Sequence, residues 1–213
     1  METTINVGIV DDHKVFREGL IVLLARFREV NVMFDLENGQ ELLDILPIKK
    51  PDIVILDVDM PILSGRKTLQ KIKELYPEIK VMMLSLHFDE IYVSMFFKDG
   101  ANAYLPKGDG IREIMEAVNS IKEKGYYHDT RVSEILAHEM QRSSEEKRIC
   151  DQVNLTNKER VIVPLLLLRK SNIYIAEELE ISTRTVEWHR KNLFDKLNCK
   201  SIDDLRELFY KRL

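Results

Sequence analysis

The sequence contains few of the features that mark secreted or membrane-bound proteins. Its 213 residues include only two cysteines, Cys150 and Cys199, which lack metal-ligand spacing, so we expect both to be reduced thiols. No apolar run is long enough to span a bilayer. The segment Met1–Asn6 has neither the basic region nor the cleavage site of a secretory signal. These absences predict a cytoplasmic protein that does not associate with membranes.

The chain also lacks a strong charge of either sign, with a formal net charge of −4. Residues Asp151 to Leu213 carry 12 Lys and Arg against 10 Asp and Glu, a balance of +2, while the remainder carries 20 against 26, a balance of −6. An acidic part joined to a mildly basic part indicates a nucleic-acid-facing C-terminus. A balance of +2 is nevertheless far below the basic footprint of a non-specific DNA binder.

What the sequence does contain, up to Gly125, is a regular alternation of short apolar runs and amphipathic stretches. The apolar runs predict buried strands at Ile5–Val10, Val30–Phe34, Asp52–Leu56, Val81–Leu84 and Ala103–Leu105. The stretches between and after them predict helices at Val15–Phe27, Gly39–Leu46, Gly65–Leu75, Glu90–Lys98 and Ile111–Lys124. Alternating strands and helices predict a five-stranded parallel sheet of the doubly wound α/β class.

Beyond Gly125 only helical patterns remain, apart from one polar segment. Three of the predicted helices are Thr130–Arg142, Asn172–Leu179 and Ile202–Tyr210. Another begins at the capping-box sequence Thr156–Glu159 and has Pro164 in its first turns. A further helix runs from Ser182 or Thr183 to Leu197. Ser143–Arg148 is polar and is interpreted as a linker. We therefore divide the chain into an α/β domain (1–126), a helical and polar linker (127–151) and a small four-helix domain (152–213).

Charged and polar side chains stand at the ends of the predicted strands. The first strand ends at Asp11-Asp12, the third at Asp57 and the fourth at Ser85, and the fifth runs into Lys107. Parallel sheets bind ligands at this edge. Clustered carboxylates favour a cation, and oxygen ligands suit Mg²⁺. A carboxylate beside Mg²⁺ can attack a phosphoryl group and become an acyl phosphate, whose charge a lysine and a hydroxyl would balance.

Each of these residues also has a simpler structural interpretation. Asp12 could cap the following helix, and Asp57 could be a turn residue before Pro61. Ser85 could end a strand, and Lys107 could be a solvated loop residue. Their joint occurrence at consecutive strand ends favours a functional site.

Residues 5–125 resemble a response-regulator receiver domain, of the flavodoxin-like (CheY-like) fold. The matching motifs are IVDDH (Ile9–His13), VILDVDMPILSG (Val54–Gly65), VMMLS (Val81–Ser85) and GANAYLPKG (Gly100–Gly108). The resemblance implies phosphorylation of Asp57 by a sensor histidine kinase. It also implies Mg²⁺ bound by Asp12, Asp57 and the backbone carbonyl of Asp59, with Asp11 assisting.

The same resemblance assigns three switch residues. Ser85 is expected to contact the phosphoryl group and Lys107 to pair with it. Tyr104 matches the switch aromatic, whose ring turns inward as Ser85 moves, although a plain core aromatic remains the alternative.

The stretch Ser171–Leu197 has the spacing of a helix-turn-helix, whose second helix lies in the major groove. Arg184, Arg190, Lys191 and Lys196 lie on or beside that second helix and suit phosphates or guanine edges. A small helical protein-interaction module, in which Trp188 and His189 merely pack or lie on the surface, is the alternative.

This stretch resembles the LuxR-type helix-turn-helix, and its pairing with a receiver resembles the NarL/FixJ subfamily of response regulators. The matching motifs are LTNKE (Leu155–Glu159), SN (Ser171-Asn172), IA (Ile175-Ala176), IS (Ile181-Ser182), TVEWH (Thr185–His189) and KL (Lys196-Leu197). The resemblance implies that Val186 and Glu187 face bases, and that His189, Arg190 and Lys191 lie along the backbone or groove. It also places a DNA-bound dimer contact at Ile202–Leu208.

Three departures from the family pattern concern this domain. Arg169 stands where glycine is usual, and Tyr174 stands where an acidic residue is usual. Glu187 stands where lysine is frequent, and a carboxylate near DNA weakens binding unless it accepts from a cytosine amino group. Val186 is therefore expected to be the firmer base contact of the pair.

The resulting hypothesis is a non-enzymatic transcription switch. Phosphorylation adds roughly −1.5 to −2 charge at Asp57 and shifts a two-state equilibrium. The linker Tyr126–Asp151 then releases the DNA-binding domain or lets two chains pair on half-sites ~34–36 Å apart. The expected partners are a sensor histidine kinase, a double-stranded DNA operator, a second copy of the chain and, as a further candidate, RNA polymerase.

Two other hypotheses remain open. Asp57-Val58-Asp59 has the form of the aspartate pair in haloacid-dehalogenase-like phosphatases, although Pro61 stands where Thr or Val is expected. The chain could also be a constitutive DNA binder that works without phosphate.

Overall fold

The computed structural model describes residues 4–210 and their side chains, except the side chains of residues 141–148 and 210. Residues 1–3 and 211–213 lie outside the described residues. They are the outermost parts of the two predicted domains, and residues 1–3 also belong to the Met1–Asn6 segment. The chain divides into two compact units, Met1–Glu134 and Ile135–Leu213. Within residues 4–210, no helix combines the length and the apolar character needed to cross a bilayer.

The first unit is a five-stranded sheet in the order β2-β1-β3-β4-β5, and every strand pair is parallel. Its strands are β1 (Ile5–Val10), β2 (Val30–Leu36), β3 (Ile53–Asp57), β4 (Lys80–Ser85) and β5 (Ala103–Pro106). Its helices are α1 (Lys14–Leu24), α2 (Gly39–Ile45), α3 (Gly65–Leu75), α4 (Glu90–Lys98) and α5 (Ile111–Lys124). The predicted α/β class is confirmed.

The sheet is buried on both faces, which explains why its strands lack alternation of apolar and polar residues. Alternate strand residues such as Ile9 and Ile55 pack in one cluster with Leu24 of α1 and Val118 of α5. The intervening residues, such as Leu56, are also fully buried. The carboxyl ends of the strands are thereby fixed side by side at one edge.

The remaining helices are α6 (Thr130–Gln152), α7 (Asn157–Leu167), α8 (Asn172–Leu179), α9 (Thr183–Leu197) and α10 (Ile202–Tyr210). α6 runs across the division between the units and continues through Ser143–Arg148, where the sequence predicts a linker. Ser, Glu, Lys and Arg have acceptable helix propensities, and this segment contains neither Gly nor Pro, so its polarity alone does not end a helix. The side chains of this segment lie outside the described residues.

Side-chain caps fix the beginnings of the helices in the second unit. Thr156 and Glu159 form the predicted capping box at α7, and Ser182, rather than Thr183, caps α9. Pro164 is not in the first turns of α7 but in its second half, where its missing N–H removes one backbone hydrogen bond.

Candidate functional site

The predicted acidic site is assembled at the carboxyl edge of the sheet. Asp57 is the last residue of β3, Ser85 the last residue of β4, and Asp11 and Lys107 directly follow β1 and β5. Because β1, β3, β4 and β5 are neighbours in the sheet, the four side chains come from adjacent strands. These residues therefore share one edge of the sheet, as the order of the predicted strands implies.

Lys107 joins the two buried carboxylates. Its Nζ lies 2.8 Å from Oδ2 of Asp11 and 2.9 Å from Oδ2 of Asp57, and all three side chains are buried. The ring of Phe16 lies 5.0 Å from the ammonium. Burial acts to lower the pKa of Lys107, but hydrogen bonds to Asp11 and Asp57 outweigh burial and raise it. The lysine is therefore charged at neutral pH.

Asp57 lies where its carboxylate is both destabilised and held in place. Burial raises the pKa of Asp57 to about 6, and the hydrogen bond from Lys107 opposes that rise. One carboxylate oxygen, Oδ1, accepts a 2.8 Å hydrogen bond from the backbone N–H of Val58. At neutral pH the group is mostly ionised, as a nucleophilic carboxylate requires.

Four ligand atoms, from Asp11, Asp12, His13 and Asp57, lie within 4.8 Å of one another. The three carboxylates provide the hard oxygen donors that suit Mg²⁺, so the residues present fit that ion. The Nδ1 atom of His13 lies 2.8 Å from Oδ1 of Asp12, and sequence reasoning did not assign His13 to the site. Its position directly after the aspartate pair was the available signal. A role for the backbone carbonyl of Asp59 stays a prediction.

The predicted switch residues lie close together. Ser85 is fully buried, and its Oγ accepts a 3.0 Å hydrogen bond from the backbone N–H of His87. Tyr104 is buried, and its hydroxyl donates a 2.6 Å hydrogen bond to the carbonyl of the same residue, His87. Burial raises the pKa of Tyr104 well above its ordinary value, so the hydroxyl stays protonated and remains a donor.

Gly65 allows the first turn of α3 to approach Asp57. A Cβ at this position would lie 2.0 Å from the backbone oxygen of Asp57. The N–H of Gly65 donates to the carbonyl of Val58 at 3.0 Å. A side chain at residue 65 would therefore displace the backbone that carries the phosphate-acceptor candidate.

The second helix of the helix-turn-helix, α9, presents one exposed face made of residues spaced by three and four positions. These residues are Arg184, Glu187, Trp188 and Lys191. Trp188 is 60% exposed, although sequence reasoning gave it no DNA contact. The spacing of Trp188 from Arg184 and Lys191 was the signal that could have placed it on this face.

The structure corrects the interpretation of Val186 as a base contact. Its side chain is 0% exposed and lies on the inner face of α9 with Leu193 and Leu197. Residues spaced by three, four or seven positions share one face of a helix. A buried valine cannot reach a base edge unless the domain core opens. Of the two residues that the resemblance assigns to bases, Glu187 is the one that reaches the surface.

Three other residues predicted to contact DNA, namely Lys196, Arg190 and His189, each contact another residue of the same domain. Lys196 donates from Nζ to Oε2 of buried Glu159 at 2.8 Å, which gives it a structural role that the sequence did not predict. Arg190 lies over the ring of Phe194 at 5.4 Å and is only partly exposed. His189, also partly exposed, packs edge-on against Trp188 at 4.9 Å.

Two family models match the chain, and together they cover most of it. Residues 7–119 match the response regulator receiver domain, and residues 153–209 match the luxR family of bacterial regulatory proteins. The first match covers the sheet from residue 7 onward with its acidic edge, and the second covers α7 to α9 and most of α10.

Curated relatives match the chain over nearly its whole length. It is 32% identical to the transcriptional regulatory protein DegU of Brevibacillus brevis, over 92% of this chain and 89% of the relative. It is 31% identical to the oxygen regulatory protein NreC of Staphylococcus epidermidis, over 97% of both chains.

Solved structures share the fold at lower identity. RcsB from Salmonella typhimurium aligns with a TM-score of 0.71, 21% identity and 98% coverage of both chains. RcsB bound to the promoter rprA in the presence of the phosphomimetic BeF3− aligns with a TM-score of 0.69, 21% identity, 97% coverage of this chain and 98% of that one. The receiver domain of the putative response regulator NarL from Mycobacterium tuberculosis aligns with a TM-score of 0.55 and 27% identity, over 57% of this chain and 98% of that one.

Proposed function

Since the chain belongs to the response regulators that join a receiver domain to a LuxR-type DNA-binding domain, we propose that phosphorylation of Asp57 controls its binding to DNA. The observation that carries this proposal is the buried group of Asp57, Asp11 and Lys107 at the sheet edge. A nucleophilic carboxylate, a second carboxylate and a fixed ammonium are the groups that transfer of a phosphoryl group to aspartate requires.

The proposed reaction transfers a phosphoryl group from a histidine of a sensor kinase to Asp57. A carboxylate oxygen of Asp57 attacks phosphorus, the P–N bond of the phosphohistidine breaks, and the electron pair leaves with the imidazole nitrogen. Lys107 turns from the carboxylate to the new phosphoryl oxygens, and the Ser85 hydroxyl donates to one of them.

Asp11, Asp12 and Asp57, with the carbonyl of Asp59, are proposed to hold Mg²⁺. When bound, the ion neutralises charge on the phosphoryl oxygens and on the clustered carboxylates. His13 adds a nitrogen beside Asp12 and holds that carboxylate at the mouth of the site.

The exposed face of α9, formed by Arg184, Glu187, Trp188 and Lys191, is proposed to enter the major groove of an operator. Arg184 and Lys191 supply the positive charge that phosphates or guanine edges attract. Trp188 offers apolar contact to a thymine methyl group, and Glu187 accepts from a cytosine amino group.

We further propose that the phosphorylated chain pairs as a homodimer through α10 and acts in the cytoplasm. In this proposal it regulates transcription together with RNA polymerase and does not turn over a substrate.

Phosphorylation and DNA binding can be tested together on the full-length protein. Incubation with acetyl phosphate and Mg²⁺ is expected to add one hydroxylamine-sensitive phosphoryl group and to raise affinity for a duplex selected by the protein from a random pool. Asp57→Asn should take up no phosphate and should show no gain in affinity. Asp44→Asn, which alters an exposed carboxylate on α2, is the matched control and should behave as the wild type.

The same experiment separates the alternatives. Equal DNA affinity of the wild type and Asp57→Asn, with and without the phosphodonor, would support a phosphorylation-independent regulator. Continuous turnover of a small phosphate ester would support an aspartyl phosphatase.

A further inference from the structure

Arg131, in the first turn of α6, has three partners: two carboxylates and an aromatic ring. Nη2 of Arg131 lies 2.9 Å from Oδ2 of Asp109 and 2.6 Å from Oδ2 of Asp129, and its Cζ lies 4.8 Å from the centre of the Phe88 ring. We call these four residues the Arg131 clamp.

Asp129 serves two purposes in the Arg131 clamp. Its Oδ1 caps α6 by accepting a 2.7 Å hydrogen bond from the N–H of Val132, while its Oδ2 accepts from Nε of Arg131 at 2.7 Å. The clamp is therefore continuous with the beginning of α6, and a displacement of Arg131 acts directly on the first turn of that helix.

Phe88 connects the clamp to the switch residues of β4. It lies three residues after Ser85, and its ring centroid is 6.1 Å from that of Tyr104. The residue before it, His87, donates its N–H to Ser85 and accepts from the Tyr104 hydroxyl through its carbonyl. A movement of Ser85 toward a phosphoryl group would break the first of these bonds and shift the loop that carries Phe88.

Asp109 connects the clamp to the other side of the site. It lies two residues after Lys107, whose ammonium contacts Asp57 and Asp11. Its N–H donates to the carbonyl of Pro106 at 3.1 Å, so it belongs to the tight turn that carries Lys107. A turn of Lys107 toward new phosphoryl oxygens would therefore move the carboxylate that holds Arg131.

We propose that Arg131 is a positioning residue that couples occupancy of the Asp57 site to the first turn of α6, the helix that leads into the DNA-binding domain. The two residues that charge at Asp57 would move, Ser85 and Lys107, each lie a few residues from one partner of Arg131. The proposal rests on the proposed function, since it supplies the route from phosphate to DNA.

The test measures the ratio of DNA affinities with and without beryllofluoride, using full-length protein, Mg²⁺ and the selected duplex. In Arg131→Met the ratio is expected to fall toward one, by about 2- to 30-fold, the range found for residues that carry coupling between sites. Arg131→Lys keeps the charge but loses the planar stacking on Phe88, so its ratio should be intermediate. Arg112→Met, at an exposed arginine of α5 outside the clamp, should keep the wild-type ratio.

Two further measurements separate coupling from damage to the fold. Beryllofluoride uptake and the melting temperature of Arg131→Met should stay close to those of the wild type. Phe88→Leu and Asp109→Asn should each lower the ratio, and adding either to Arg131→Met should lower it no further, because residues of one network are not additive.

A wild-type ratio in Arg131→Met would overturn the coupling role and leave the proposed function intact. Loss of beryllofluoride uptake in that variant would also overturn it, because Arg131 would then be supporting the site itself. A ratio of one in the wild-type protein would overturn the proposed function and this inference together.

Discussion

Ile62 shows how a single residue next to the acidic site stores backbone strain. Its φ is +68°, in the left-handed region that β-branched side chains avoid, and its side chain is 79% exposed. The residue lies in the loop between β3 and α3, three positions before Gly65. Strain of this kind near a site persists only when the surrounding structure enforces it.

Ile62→Gly is expected to stabilise the protein by about 1 kcal/mol. The substitution removes strain of roughly 1–3 kcal/mol and loses about 0.5–1 kcal/mol through the greater freedom of glycine in the unfolded chain. Little apolar burial is lost because Ile62 is exposed. Urea unfolding followed by circular dichroism provides the measurement.

Ile48 offers the matched control, since it is 82% exposed and does not have a positive φ. Ile48→Gly should be neutral or destabilising. Equal effects of the two substitutions would mean that the φ of Ile62 carries no strain.

At the residue scale, the sequence predicted which residues share the sheet edge, because strand ends identify them. Asp11, Asp57, Ser85 and Lys107 each end or follow an apolar run, so their shared edge follows from the order of the elements. His13 was not assigned to the site, although its position directly after Asp11-Asp12 was the available signal.

At the scale of elements, two helices of the second unit are joined by a buried ion pair. Glu159 of α7 is 2% exposed, and its Oε2 accepts from the N–H of Thr156 and from Lys196 of α9, both at 2.8 Å. Burial acts to raise the pKa of Glu159, but Lys196 and the cap hydrogen bonds outweigh burial and lower it. The carboxylate of Glu159 is therefore ionised while buried, and the ammonium of Lys196 stabilises its charge.

Lys196→Met is expected to destabilise the second unit by about 1–3 kcal/mol, because it leaves a buried charged acceptor short of a partner. Unfolding can be followed by the fluorescence of the only tryptophan, Trp188, which belongs to the same unit. Lys191→Met, at an exposed lysine of the same helix, should change stability by less than about 0.5 kcal/mol. Equal stability of the two variants would contradict a structural role for Lys196.

The helices were predicted more accurately than the direction in which their side chains point. Capping residues and apolar spacing give the bounds of α3, α4, α5 and α8 directly. The apolar spacing of Val186, Leu193 and Leu197 could have indicated the covered face of α9, but the family resemblance assigned Val186 to DNA although it is buried. The continuity of α6 was missed because polar helix formers give no apolar periodicity from which a helix can be inferred.

At the scale of the whole molecule, the division of charge agrees with the division into two units. Ile135–Leu213 carries 15 basic and 13 acidic residues, a balance of +2, whereas Met1–Glu134 carries 17 and 23, a balance of −6. So small a positive balance supports little non-specific attraction to DNA. In the proposed complex, affinity would therefore depend on basic residues placed at the DNA, such as Arg184 and Lys191, and on the number of chains bound.

The salt dependence of DNA binding therefore reports both the basic residues that contact phosphates and the number of chains bound. The logarithm of affinity falls with the logarithm of salt concentration by about 0.9 for each phosphate neutralised. If Lys191 contacts a phosphate, Lys191→Met should reduce this slope by about 1.8 for a bound dimer and by about 0.9 for a single chain. Fluorescence anisotropy on beryllofluoride-treated protein between low and moderate salt gives the slope.

Lys49→Met, at an exposed lysine of the acidic unit, should leave the slope unchanged. A reduction near 0.9 would contradict binding as a dimer, and no reduction would remove Lys191 from the phosphate contacts.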